Sequence, residues 1–337
     1  MPSKQTVLWI LILIALLILI TLPRFNRNDM GVGSLTEVGG NYLGDADEYM
    51  AVTSYFRGEA EVDDVRPPFS YRPFAPFLAA QLPFEAMTAL NLINLAAMII
   101  ALNFMYGILK GLDLDFNLCI VGCGLFVLSF PTFYYTTIGM IDPMVILFLT
   151  MGLFFIFNNE WLFLAVVIVT GVLVKESVIL LILTLAAYLF FRRQLNIKQG
   201  LFLLAMLLLF ALGQLFARRI IPVNPSVVWP PSLEMLLKNI SRPRSWLAFL
   251  LSFGIPGAIA LLIFFYRKSQ WFHERHAETA TLIAGTVFTL FLFGYSLFSA
   301  WADGRIIWLS TPFTVPLAAI VLSEMRDGRL FNKRRVY

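Results

Sequence analysis

Charge is scarce in this sequence. Lys, Arg, Asp and Glu make up 14% of its 337 residues, against about 25% in an ordinary soluble domain. With so few charges and 59% apolar residues, a soluble globular enzyme, a disordered chain and a nucleic-acid-binding module are all excluded. Only two cysteines are present, too few for a disulfide framework. Cys119 and Cys123 lie four apart beside Gly122 and Gly124, with no His or further Cys near them. That pattern points to small-residue packing on one helix face rather than to metal or redox chemistry.

What the chain has instead is long apolar runs. Ten can be read, at about 7–22, 84–109, 118–133, 143–157, 161–174, 177–191, 200–217, 246–266, 279–299 and 306–323. A straight helix crosses a bilayer core with about 20 such residues, and shorter spans thin the membrane or sit within a bundle. The reading is an all-α integral membrane protein with about ten transmembrane helices in a single domain over 1–337. The first run lacks a small-x-small cleavage site before Leu22-Pro23, so it reads as an uncleaved span. The stretch 161–191 reads as a hairpin with its tip at Lys175-Glu176, because one long helix would put both charges at the bilayer centre.

Lys and Arg placement gives the sidedness. With the N-terminus inside, cytoplasmic pieces carry 13 basic residues against 7 acids, and outer pieces 12 against 14. The bases are dense in the short inner loops and in the tail 324–337, which is the asymmetry that sets topology. Both termini are expected in the cytoplasm of a multi-pass inner-membrane protein, with outer loops at 23–83 and 218–245. The cytoplasmic His273-Glu274-Arg275-His276 matches no zinc pattern and reads as a solvated loop. Asn239-Ile240-Ser241 is a nominal glycosylation sequon.

The first outer loop carries the main signal. Residues 45–58 read as a short amphipathic helix ended by Gly58, lying at the membrane surface with Tyr49, Met50, Val52, Tyr55 and Phe56 toward lipid. Asp45 and Glu48 have capping-box spacing. Asp47 has no such duty and sits in the first turn, so it is the first choice for a catalytic carboxylate, with Asp45 the alternate. Asp45-Ala46-Asp47 also spells D-x-D, but on the side away from cytoplasmic nucleotide sugars. No cofactor is expected, and a divalent metal bridging the acids is the disfavoured alternative. Downstream, Tyr71-Arg72-Pro73-Phe74-Ala75-Pro76 holds Arg72 in a non-helical segment, a natural place for a guanidinium that grips phosphate.

Further outer charges flank the spans: Asp142 before Pro143, Lys175-Glu176, Arg218-Arg219, and Asp303 with Arg305 in the turn Trp301–Arg305. Capping alone could account for Asp142, and internal pairing for Lys175-Glu176 and for Asp303 with Arg305, whereas Arg218-Arg219 runs against the positive-inside tendency and leaves room for an anionic ligand. All nevertheless lie on one side, as charges gathered at the mouth of a substrate site do. A lipid-linked phosphate donor suits such a mouth. Arg72, Lys175, Arg218, Arg219 and Arg305 are the candidates for its phosphate, and Glu48, Tyr71, Asp142, Glu176 and Asp303 for the rest of the substrate.

These elements resemble the GT-C superfamily of polytopic glycosyltransferases. The likeness lies in Gly44–Tyr49 in a first outer loop, Tyr71–Pro76 before the second span, Thr136–Pro143, and Val174–Ser177. It implies transfer of a sugar from a polyprenyl-phosphate donor at the extracytoplasmic face, with an outer-loop Asp (Asp47, or Asp45) as general base. Many relatives carry a large soluble domain after the last span. This chain reads on only to a short basic tail, so a lipid-linked or small acceptor is expected. Membrane lipids are the other expected partners, and nucleic acid is not one. Two other readings stay open: a transporter or lipid flippase, and an accessory subunit of an envelope-synthesis complex.

Overall fold

A computed structural model describes residues 3–25, 44–223, 230–265, 276–300, 302 and 304–327. These residues are arranged as helices joined by short turns, with no strand among them. Helix α1 (Lys4–Thr21) begins at Ser3, whose hydroxyl accepts from the Thr6 N–H, and ends in a 3₁₀ turn at Leu22–Arg24. Then come α2 (Asp45–Phe56), α3 (Phe74–Ala80), α4 (Ala86–Gly111), α5 (Phe116–Val127) and α6 (Phe130–Tyr135). The middle of the chain forms α7 (Asp142–Phe157), α8 (Trp161–Val172), α9 (Ile179–Phe191) and α10 (Ile197–Ile220). The last part forms α11 (Leu233–Ser241), α12 (Pro243–Leu261), α13 (His276–Ser299), α14 (Arg305–Trp308) and α15 (Thr311–Arg326).

The apolar segments of the sequence are helical over most of their described residues. Among the described residues, five helices are long and apolar enough to cross a membrane: Lys4–Arg24, α4, α10, α12 and Ala277–Ser299 of α13. Helices α5, α7, α8 and α9 are apolar but only 12 to 16 residues long. At 1.5 Å per residue they reach about 18–24 Å, short of a bilayer core about 30 Å thick.

The core forms around α4, which packs against α7, α5 and α3. Its Leu90, Met98, Leu102 and Met105 have no solvent access. Helix α15 is buried along most of its length, through Phe313, Val315, Ala318 and Ile320. Helix α10 is the opposite case: Leu201, Leu208, Leu212 and Phe216 all point outward, a surface suited to lipid.

The 161–191 stretch is a hairpin. Lys175 is extended (φ −168°, ψ 145°) and is followed by a 3₁₀ turn at Glu176–Val178. At the far end, Arg192 Nη1 donates to Asn159 Oδ1 at 3.5 Å, so the start of α8 meets the end of α9. That same end of the bundle is tied by Arg326 on Asp115. Asp115 also caps α5, accepting from the Leu118 N–H at 3.1 Å.

Three expectations are corrected. First, α2 forms and closes at Gly58 with both Schellman bonds, Gly58 N–H to Tyr55 O at 3.0 Å and Glu59 N–H to Ser54 O at 2.9 Å. Its apolar face does not lie on lipid, however. Tyr49 and Val52 are fully buried, and Met50, Tyr55 and Phe56 pack on the core. Arg57 fixes this docking by donating to the carbonyls of Ala79, Leu82 and Phe84. Second, there is no capping box at Asp45 and Glu48. Gly44 is the cap residue and bonds through no side chain, which frees Asp45 to pair elsewhere. Third, the loop 218–245 contains a helix. Its Leu233, Leu237 and Ile240 form an exposed apolar stripe at helical spacing, so α11, not α2, presents an apolar face outward.

Helix α12 is broken. Gly254 has φ 56° and ψ −162°, two residues before Pro256. The sequon residue Asn239 is buried and fully engaged: its amide donates to Leu297 O and Ala300 O and accepts from the Ala302 N–H. It is closed to glycosylation in the folded chain.

Candidate functional site

Several charged residues meet at the end of the bundle that carries α2. Asp142 is the first residue of α7, and its side chain is 1% exposed. It does not cap the helix. Its Oδ1 accepts from Lys175 Nζ at 2.7 Å, and its Oδ2 lies 3.9 Å from Arg305 Nη1. The same Arg305 nitrogen is 2.6 Å from Asp45 Oδ2 and 3.1 Å from Met140 Sδ. A chain of alternating charge, Asp45–Arg305–Asp142–Lys175, therefore joins four segments far apart in sequence.

A second group adjoins it. Arg72 is buried and non-helical (φ −121°, ψ 55°), as its place before Pro73 requires. Its Nε and Nη2 donate to the two Glu176 oxygens at 3.0 and 2.5 Å, and its Nη1 donates to Tyr49 Oη at 2.9 Å. The Phe74 N–H, bonded to Leu173 O at 3.1 Å, docks this segment on the end of α8. The Lys175-Glu176 pair expected within the dipeptide does not form. Extended Lys175 sends neighbouring side chains apart, one to Asp142 and the other to Arg72. Three of the five N–H donors of Arg72 are thus directed at Glu176 or Tyr49, and these bonds hold α2 and the hairpin tip together.

The other candidates lie at the margin. Glu48 is 3.8 Å from Arg66. Burial, together with the nearby Asp45 and Asp47 charges, pushes its carboxyl above the ordinary 4.5 despite Arg66. A raised carboxylate favours the fold below its unfolded pKa, and that contribution is lost as pH rises through the folded value. Glu48→Gln is therefore expected to be at least as stable as wild type at neutral pH and to flatten the change on acidification, as read by thermal melting across pH. Asp47 is two residues from Asp45, about 200° round the α2 axis, so it points away from the side that meets Arg305. Arg218 covers the half-buried Tyr71 ring at 5.4 Å. Arg219 is exposed in the last turn of α10 and is not among the ion pairs of the cluster. Asp303 lies outside the described residues, so its expected pairing with Arg305 does so too. Among the described residues no three His, Cys, Asp or Glu side chains gather as a metal site.

Three positioning residues escaped the sequence reading. Asn91 and Asn94 on α4 are fully buried. Asn91 accepts from the Gly139 N–H at 2.8 Å and donates to Thr137 O, while Asn94 donates to Met140 O at 2.5 Å. Together they hold the loop that delivers Asp142. Two amides three apart in an apolar run were the available signal, since polar groups at such depth seek partners. Gly304 is the third. Its φ is +83°, and a Cβ there would stand 2.5 Å from both the Ala248 carbonyl oxygen and Ser252 Oγ. Gly304→Ala is expected to cost at least about 2 kcal/mol, from left-handed strain plus overpacking, and to displace Arg305. A melting shift well under that size would mean the turn is not so fixed.

A cavity of about 20 Å³, room for one water, lies between α11, α12 and α13 against Ser245, Phe249 and Phe293. No member of the charge cluster lines it. No family model matches the chain, and no curated protein does.

Proposed function

We propose that this chain is a membrane glycosyltransferase that moves a sugar from a polyprenyl-phosphate donor to a lipid-linked or small acceptor. The observation that carries the reading is the Asp45–Arg305–Asp142–Lys175 chain, with Arg72–Glu176 beside it, at one end of a largely apolar bundle. Burying so many charges is costly unless they are paired, and ionisable groups gathered in a membrane bundle usually mark a substrate path or site. Carboxylates held close to cations can accept a proton from an acceptor hydroxyl while cations meet phosphate. In this reading all ten apolar segments cross the bilayer, both termini are cytoplasmic and the cluster faces the extracytoplasmic side. The short helices are then accommodated by local thinning and by burial within the bundle. Among the cations, Lys175 reaches the cluster through one acid, Asp142, and is better able than Arg72, which is bonded to both Glu176 and Tyr49, to turn toward a phosphate.

The break at Gly254 in α12 favours a second reading, since discontinuous spanning helices also build transporter sites. Purified protein in nanodiscs, given radiolabelled polyprenyl-phosphate sugars and lipid acceptors, separates the two. Transfer of label to an acceptor, with release of polyprenyl phosphate, is expected. Intact donor that instead moves across proteoliposomes would sink the transferase reading.

A further inference from the structure

Helix α11 is fastened at both ends to the end of a membrane-length helix. The Ser232 N–H donates to Phe298 O at 2.8 Å. The Asn239 amide donates to Leu297 O and Ala300 O, both at 2.8 Å. These acceptors lie in and just after the last turn of α13, whose Ala277–Ser299 is long and apolar enough to cross a membrane. The bonds therefore hold α11 at the depth where that helix would leave a bilayer. Exposed aromatic rings flank the junction. Tyr295 lies one turn before the end of α13, and Trp246, at the start of α12, donates through Nε1 to Ile240 O at 2.8 Å. Tyr and Trp gather at the level of lipid headgroups.

The short helix divides lengthwise into three sides, roughly 100–150° apart at 3.6 residues per turn. Buried Asn239, with half-buried Met235 near it, marks the side bound to α13. Glu234 and Lys238, paired at 2.6 Å, form a polar side with exposed Ser241. Leu233, Leu237 and Ile240, 65%, 59% and 47% exposed, form an apolar one. A helix bordered at once by protein, water and hydrocarbon has this division. The apolar side also continues past the corner, because Leu247, Leu250 and Ile255 of α12 point outward on a second helix of membrane-crossing length. A protein partner would cover a bounded patch. An apolar surface running from α11 along α12 instead suits a continuous lipid medium.

We propose that α11 lies along the bilayer surface with Leu233, Leu237 and Ile240 inserted about 5–10 Å into the boundary between headgroups and acyl chains, its partner being the lipid surface itself. The inference rests on the reading that α12 and α13 cross the bilayer, and does not depend on sugar transfer.

The test places a nitroxide on single introduced cysteines in the full chain in phosphatidylcholine nanodiscs. The two native cysteines are buried, and every labelled position is exposed, so the label displaces no packed side chain. Labels at Leu233→Cys, Leu237→Cys and Ile240→Cys are expected to collide several-fold more often with oxygen, which concentrates in lipid, than with a water-soluble nickel complex. Glu234→Cys and Lys238→Cys should show the reverse, giving a helical alternation along α11. Leu250→Cys on α12 reports on the crossing helix and is expected to favour oxygen. Nickel contact along the apolar side, with Leu250→Cys still in lipid, overturns the proposal alone. A side closed to both agents also overturns it, because protein then covers the helix. Nickel contact at Leu250→Cys as well overturns it together with the crossing of α12.

Discussion

Asp142→Asn is expected to destabilise the folded chain by about 3–5 kcal/mol, the usual cost of leaving a buried charge without its partner. The size follows from exposure: the Asp142 side chain is 1% accessible and Lys175 12%. Lys175 Nζ gives its 2.7 Å bond to Asp142, and without the carboxylate an ammonium is held where water hardly reaches. Arg305 loses less, because Asp45 remains 2.6 Å away. Pairing the change with Lys175→Met removes both charges, and the double variant should recover much of the loss. Chemical or thermal unfolding of the four proteins gives the coupling. If Asp142→Asn falls within about 1 kcal/mol of wild type, the pair is not the anchor its burial indicates.

The second large effect concerns the proposed base. General-base catalysis contributes typically 10²–10⁴-fold, so Asn at the responsible carboxylate should lower transfer by that factor with donor affinity little changed. The sequence put Asp47 first and Asp45 second. The fold favours the reverse order, because Asp45 faces Arg305 and the Asp142 cluster while Asp47 lies on another side of α2. Asp45→Asn is therefore expected to give the larger loss. Since Asp45 is also in an ion pair, its melting behaviour must be followed alongside kcat. Wild-type transfer in both Asp45→Asn and Asp47→Asn would remove the outer-loop carboxylate from the mechanism.

Much of the scaffold could be read in one dimension. Apolar runs marked the helices, Gly58 ended α2, Pro73 kept Arg72 out of a helix, and the charges of Lys175-Glu176 broke 161–191 into a hairpin. Each is a local effect set by backbone sterics or by the cost of a charge in an apolar medium. Helix α11 was equally legible, since Leu233, Leu236, Leu237 and Ile240 recur at helical spacing after Ser232, whose hydroxyl caps Met235.

Composition and local patterning thus determined that the chain is helical and apolar, where its helices break, and which charged residues stand at helix ends. Only the packing of distant segments decided which of them meet. Lys175 chose Asp142, Glu176 chose Arg72, and Asp45 chose Arg305, although each had a nearer candidate along the chain. The physical reason is that Coulomb attraction depends on distance in space and on exclusion of water, neither of which sequence spacing specifies. The face of α2 was decided the same way: its apolar residues suit lipid and protein equally, and the docking of Arg57 and Arg72 gave them to protein.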